Sequence, residues 1–189
     1  MLAGTKVYQV KGKLGETTMS MDLGEEHPVF TYADYSHVTK EMLNEKLKDF
    51  VGETMQTPPM YSALHKDGKR LYELAREGKT VDVAPRRVRV YDIECVDWSP
   101  PHFELALISG RGFYVRKLIY DVGIALNTLA VTTRLVRIRQ GPFKLDDCPN
   151  NDTLSREVVV RELAKWKVMY KPPKNLSYEE YLQEKKKIN

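Results

Sequence analysis

Hydrophobic and polar residues are interleaved from the start of the chain: Val7, Val10 and Leu14 sit among lysines, which predicts a strand over Lys6 to Leu14 with one buried and one basic face. A polar, glycine-containing link runs on to about Ser36. Beyond it Leu43, Leu47, Phe50 and Val51 recur at helical spacing. They predict a helix over Lys40 to Val51, capped by Thr39, stopped by Gly52 and packed through those four residues. The stretch QTPPMYSALHKDGKRLYELAREGK then reads as a Pro-Pro lead-in, an extended MYSAL, a turn at Asp67-Gly68 and a helix from about Lys69 to Glu77 closed by Gly78.

Strand patterns return over Arg87 to Val96 and His102 to Ser109, and the Ser99-Pro100-Pro101 turn between them predicts a hairpin. After SGRG the period changes. Val115, Leu118, Ile119, Val122 and Leu126 fall at i, i+3, i+4, i+7 and i+11, an amphipathic helix from about Phe113. A strand over Arg134 to Gln140 ends at Gly141-Pro142, a helix is predicted over Ser155 to Trp166, and Ser177-x-x-Glu180 matches a capping box before a short charged helix. Lys185 to Lys187 read as a solvated end. The predicted class is α+β, a mixed, mainly antiparallel sheet flanked by helices, with a domain over 1–150 and a helical extension with a charged tail over 151–189.

A length of 189 residues fits one main domain with an appendage, and a net charge of +4 permits a polyanionic partner without requiring one. Cys95 and Cys148 stand far apart with no ligand spacing, and His27, His37, His65 and His102 are scattered, so neither a disulfide framework nor a metal site is expected. A reducing compartment fits this cysteine usage. No apolar run of about 18 residues exists, so no membrane span is expected. The first residues lack the layout of a signal or transit peptide and enter a strand almost at once, from which an upstream beginning is expected.

Candidate chemistry is basic and aromatic. Lys11, Lys13, Lys69, Arg70, Arg86, Arg87, Arg89, Arg134, Arg137 and Arg139 would track phosphates if the sheet gathered them on one side, and Tyr8, Tyr61, Tyr72 and Tyr114 interleave as stacking platforms for bases. Arg76 joins them on the predicted helix. On composition alone the plainer assignment prevails: half-buried tyrosine anchors and solubilising lysines. A phosphate loop, a hydrolase elbow and a kinase set are absent.

Taken in order, MYSALHKDGKRLYELAREG, APRRVRVYDIE, SGRGFYVRKLIYDVG and RLVRIRQGPF resemble the TruB family of pseudouridine synthases, and GTKVYQVKGKLGETT resembles its basic-x-tyrosine strand and LG-x-x-T-D segment. The resemblance spans about Gly4 to Asp147; LAGTKVYQVKG, SPPHFEL and TLAVTTRLVRIRQGPFKLDD are most similar to the animal mitochondrial branch. It implies an RNA-binding enzyme of tRNA or mitochondrial mRNA, needing no cofactor or metal and placed in the mitochondrion. In such enzymes a flipped uridine is detached from its ribose, rotated and rejoined through carbon 5. It further implies that Tyr8 stacks on the flipped base, that Tyr114 lines the pocket and that Arg116 pairs with the catalytic aspartate of a G-x-L-D-P motif. Lys11, Lys69, Arg70, Tyr72, Arg76, Arg87, Arg137 and Arg139 would bind RNA.

The sequence departs from that pattern at decisive places. G-x-L-D-P does not occur; Lys144-Leu145-Asp146-Asp147 follows the GPF turn instead and reads as a helix start or surface acids. Thr18 stands where the family usually has the aspartate of its T-D pair, with Asp22 a loose substitute. The appended RNA-binding domain of bacterial members has no room. Two expectations follow. One is a synthase whose aspartate, and part of whose sheet, lie before Met1; the other is a noncatalytic RNA-binding module.

Overall fold

Alternation along the first strand sends Tyr8, Val10, Gly12 and Leu14 to one side, and all four are buried. This strand, β1 (Lys6–Leu14), lies inside a six-stranded sheet in the computed structural model, which describes residues 4–24, 31–141, 143–149, 152 and 154–161. The other elements, in chain order, are β2 (Glu16–Thr17), β3 (Thr31–Tyr32), α1 (Lys40–Lys48), β4 (Gly52–Gln56), β5 (His65–Lys66), β6 (Lys69–Arg70), α2 (Leu71–Arg76), β7 (Arg86–Ser99), β8 (His102–Ser109), α3 (Val115–Ala125), β9 (Ala130–Gln140) and β10 (Phe143–Lys144). A 3-10 turn covers Leu145–Asp147, and residues 156–161 are helical. The sheet order is β10-β9-β1-β8-β7-β4, and each neighbouring pair is antiparallel. The α+β class and its mainly antiparallel sheet therefore stand as read from the sequence.

Both longer helices cover the face that carries Val10. Leu43 and Leu47 of α1 and Val115, Leu118, Ile119 and Val122 of α3 close over Val88, Val90, Phe103, Leu105 and Leu107 of the sheet. Each such side chain contributes about 1.5–3 kcal/mol by leaving water. Two glycines mark the tightest approaches. A Cβ on Gly12 would stand 2.3 Å from the Phe103 ring opposite it, and one on Gly123 would stand 2.4 Å from the Ala130 backbone nitrogen. The missing side chains let Phe103 lie flat on β1 and α3 cross directly over the start of β9.

Several boundaries differ from the sequence-based expectation for identifiable reasons. Helix α1 is capped by Thr39, whose side chain accepts from the Met42 N–H, but it ends at Lys48 because Gly52 already pairs with Val90 as the first residue of β4. Val51, expected in the core, is 48% exposed, and Phe50 is only half-buried. Lys69 and Arg70 belong to a hairpin, not to a helix: Asp67 and Gly68 both adopt left-handed backbone (φ 52 and 82), the twist that closes a two-residue turn between β5 and β6. The helix begins only at Leu71, with Arg70 at its N-cap. Strand β9 starts four residues before Arg134, at Ala130, and its first three residues are buried. The predicted helix over Ser155 to Trp166 is described only as far as 161; Ser177, Glu180 and Lys185 to Lys187 lie outside the described residues.

Candidate nucleic-acid interface

Tyr8 anchors the helix-covered face at the end of β1 where α3 begins. In the register it faces Leu107 on one side and Arg137 on the other, and it is 9% exposed. Burial raises the pKa of its phenol, the largest influence, while the charge of Arg137 and its hydrogen bond to the Tyr8 side chain act in the opposite sense. The hydroxyl is therefore held neutral. Two residues before Arg137, Leu135 lies opposite the fully buried Val10 yet is 40% exposed. An aromatic side chain, an exposed aliphatic one and a guanidinium thus share one face, the combination that receives a planar base carrying polar edges.

The first turn of α3 supplies the second part of the site. Tyr114, half-buried at the N-cap, is held through its backbone: its N–H donates to Gln56 Oε1 at 2.8 Å and its carbonyl accepts from Gln56 Nε2 at 3.1 Å. Gln56 is itself buried at the end of β4, so an amide clamp fixes where Arg116 starts. Arg116 Nη2 donates to the Tyr61 carbonyl at 2.8 Å, and Nη1 donates to the Ser20 carbonyl at 3.4 Å while standing 3.7 Å from Asp22 Oδ2. Among the described residues, Asp22 is the carboxylate that pairs with Arg116.

Asp22 reaches that position through a small hydroxyl network. Thr18 Oγ1 donates to the Asp22 carbonyl at 2.9 Å and accepts from the Asp22 N–H at 3.1 Å, and Ser20 Oγ donates to the same carbonyl at 3.2 Å. Met21, at φ 60, makes the reversal, and Thr132 of β9 bonds the backbone of Met21 and Leu23 on either side. Nothing periodic in the sequence marks this loop. Its signals in the sequence are the run of hydroxyl residues Thr17, Thr18 and Ser20 around one acid and the resemblance that sets Asp22 near the T-D position of Thr18.

The remaining sequence-predicted contacts fall into two separate groups. Lys69, Arg70, Tyr72 and Arg76 lie together on the β5–β6 hairpin and α2. Arg70 and Arg76 stand 5.8 and 5.6 Å from the Tyr72 ring centroid, and Lys69 pairs with Glu77 at 2.6 Å. This appendage is tied to the segment that meets Arg116, because the Tyr72 N–H donates to the Ser62 carbonyl next to Tyr61. Lys11, Arg87 and Arg139 are elsewhere. Lys11 and Arg87 alternate with buried residues of the helix-covered face, and Arg139 pairs with Val7 across a shift in the β1–β9 register: Lys11 pairs with Glu104 at 3.3 Å, Arg87 with Glu53 at 3.5 Å, and Arg139, whose guanidinium burial depresses its pKa, donates to the Gly141 carbonyl. They occupy the reverse face of the sheet.

Among the described residues no group of three or more His, Cys, Asp or Glu side chains is arranged to hold a metal ion, and no helix is long and apolar enough to cross a membrane. Against known proteins, the model described as TruB family pseudouridylate synthase (N terminal domain) matches residues 1–115, well over half of the 189. The chain belongs to the TruB family. It is 41% identical over 152 residues to human pseudouridylate synthase TRUB1, covering 78% of this chain and 42% of that one. To tRNA pseudouridine synthase B of Clostridium perfringens it is 38% identical over 164 residues, covering 86% and 55%. The corresponding protein of Bacteroides fragilis is 39% identical over 144 residues, covering 76% and 61%. The TruB chain described here thus spans about half the length of these curated relatives. A solved Cbf5–Nop10–Gar1 complex shares the fold, with a TM-score of 0.54 at 23% identity over 88% of this chain and 38% of that one.

Proposed function

We propose that this chain is the RNA-gripping part of a TruB-type pseudouridine synthase, with a flipped uridine of tRNA as its ligand. The observation that carries the proposal is the joint placement of Tyr8, Leu135 and Arg137 on one face of the sheet, with Tyr8 in the same core cluster as Phe113 and Val115 at the start of α3. A base taken out of its stack needs an aromatic or apolar face in exchange, and Tyr8 with Leu135 offers one. Lys69, Arg70 and Arg76 extend the grip along the backbone of the RNA. The names of the relatives, tRNA pseudouridine synthase B and pseudouridylate synthase, support tRNA and the isomerisation. A role on mitochondrial mRNA and a mitochondrial setting rest on sequence resemblance alone, as does the division into a domain over 1–150 and an extension over 151–189.

A second assignment, an RNA-binding module without turnover, is favoured by one specific pair of facts. The sequence holds no G-x-L-D-P, and the acid that faces Arg116 is Asp22. Purified 1–189 protein incubated with tRNA transcripts separates the two. We expect salt-sensitive binding and enhanced fluorescence of 2-aminopurine placed beside the target uridine, with no pseudouridine detected by carbodiimide-blocked primer extension. Pseudouridine formed by this chain would overturn the noncatalytic assignment. Binding that ignores salt would overturn the RNA grip itself.

A further inference from the structure

Three cations gather around the start of β1 without a carboxylate among them. Lys6 precedes Tyr8 by two residues on the same face of β1, and Arg137 stands opposite Tyr8 on β9. Arg111 follows Ser109, which is the register partner of Lys6 on β8, by two residues. Lys6 is only partly exposed. Its ammonium pKa is pushed below the ordinary value first by burial, then by the charges of Arg137 and Arg111. Six other cations near the sheet and α2 have an acid: Lys11 has Glu104, Lys13 has Glu16, Lys69 and Lys79 share Glu77, Arg87 has Glu53 and Arg116 has Asp22. Among the described residues none of Lys6, Arg111 and Arg137 forms an ion pair.

We propose that Lys6, Arg111 and Arg137 form a clamp for one RNA phosphodiester beside Tyr8, a site that rests on the RNA grip proposed above. Like charges gathered around a partly desolvated ammonium raise the free energy of the empty corner, and an anion placed between them removes that cost. Two guanidinium forks and one ammonium surround an anion with several oxygens better than they match a single carboxylate. Tyr8 adds the second half of the specification. A ligand with a phosphate at these cations and a planar base beside it is a nucleotide within a strand, and the clamp fixes its backbone while the base turns onto Tyr8.

The test uses the 1–189 chain and a panel of tRNA hairpin arms with uridine in the loop, each carrying one neutral methylphosphonate at a successive loop phosphate. Arg111 is exposed in a turn, so Arg111→Gln leaves the core untouched. It should weaken binding and make the plot of log K against log salt shallower by about 0.7, the value for one single-strand phosphate contact. One methylphosphonate should cost the wild-type chain a similar loss, and that same RNA should cost Arg111→Gln nothing further, the non-additivity of two partners in one contact. Lys6→Gln, checked for an unchanged melting temperature, should show the same coincidence. Salt-sensitive binding by wild type with an unaltered slope in both variants overturns the clamp and leaves the RNA grip standing. Additive losses at every phosphate overturn it as well. If the wild-type chain shows no salt-sensitive binding at all, the grip and the clamp fall together.

Discussion

Arg116 Nη1 stands 3.7 Å from Asp22 Oδ2 while Nη2 of the same guanidinium donates to the Tyr61 carbonyl at 2.8 Å. One side chain thereby joins α3, the Thr18-to-Asp22 loop and the MYSAL segment. The two contacts are not equal in weight. Asp22 is 39% exposed, so the ion pair is screened and worth about 0–1 kcal/mol, whereas a charged donor on a carbonyl contributes about 1.5–3 kcal/mol. Asp22→Asn is expected to lower stability by less than about 1 kcal/mol. Arg116→Ala is expected to cost about 1.5–3 kcal/mol by leaving carbonyls without a donor. Urea unfolding of the two variants at equal m-value checks the ranking; equal losses would assign the weight to the ion pair.

Tyr8 separates stacking from hydroxyl chemistry. Tyr8→Phe keeps the ring and should hold RNA affinity near wild type, while Tyr8→Ala should lose about 1–3 kcal/mol of binding, the scale of one base–aromatic contact. Filter binding at fixed salt reads both. A phenylalanine variant as weak as the alanine one would place the interaction in the hydroxyl that meets Arg137.

The Lys6 ammonium gives a pH signature. Its pKa in the folded chain lies below the ordinary lysine value of 10.5, so over the window between the two the unfolded chain holds more protons and stability rises with pH. Lys6→Met should abolish that rise in melting temperature just below pH 10.5. Bound phosphate reverses the sign by favouring the charged form, so RNA binding in the same window should take up a proton, which calorimetry in buffers of different ionisation enthalpy detects. Identical alkaline profiles for wild type and Lys6→Met would contradict the crowding of this corner.

Glu77 acts as an acidic guard on the α2 appendage. Hydrogen bonds from Lys69 and Lys79 bring its pKa down to about 2, so it stays ionised at every working pH and neutralises much of their charge. Glu77→Gln should tighten RNA binding and steepen its salt dependence, because both lysines then face the polyanion unpaired. An unchanged slope would remove Lys69 from the RNA path.

Gly123 sets two opposing effects against each other. Alanine is favoured over glycine inside a helix by about 1 kcal/mol. Its Cβ, however, would meet the Ala130 backbone at 2.4 Å, and overpacking against backbone costs about 1–3 kcal/mol or more. Packing should win, and Gly123→Ala should lower the melting temperature. A rise would mean that β9 shifts freely beneath α3.

How legible was this fold? Regular periods carried through. The spacing of Val115, Leu118, Ile119 and Val122 located α3, and β1 and β8 were found within a residue of their bounds. The missed start of β9 has a simple cause: Ala130, Val131 and Thr132 are all buried, so no polar alternation marks them as a strand. Residue type predicts a helix over Lys69 and Arg70 because it does not reveal that Asp67 joins Gly68 in left-handed backbone. The reverse-face position of Lys11 was readable, since an odd separation of three from Tyr8 along a strand puts the two on opposite sides. The Arg116–Asp22 pair was not, because it depends on a left-handed methionine and two hydroxyls that follow no period.

The interior position of β1 also bears on biogenesis. Lys6 pairs with Ser109 on one side and with Gln140 on the other, so β1 has neither of these sheet neighbours until residues about a hundred positions later have left the ribosome. During synthesis at roughly 5–20 residues per second, the strand bearing Tyr8 waits for several seconds with both edges open. Tyr8 therefore lies on a strand that stays unpaired while its neighbours are being made, and messages that slow translation between these strands should lower soluble yield.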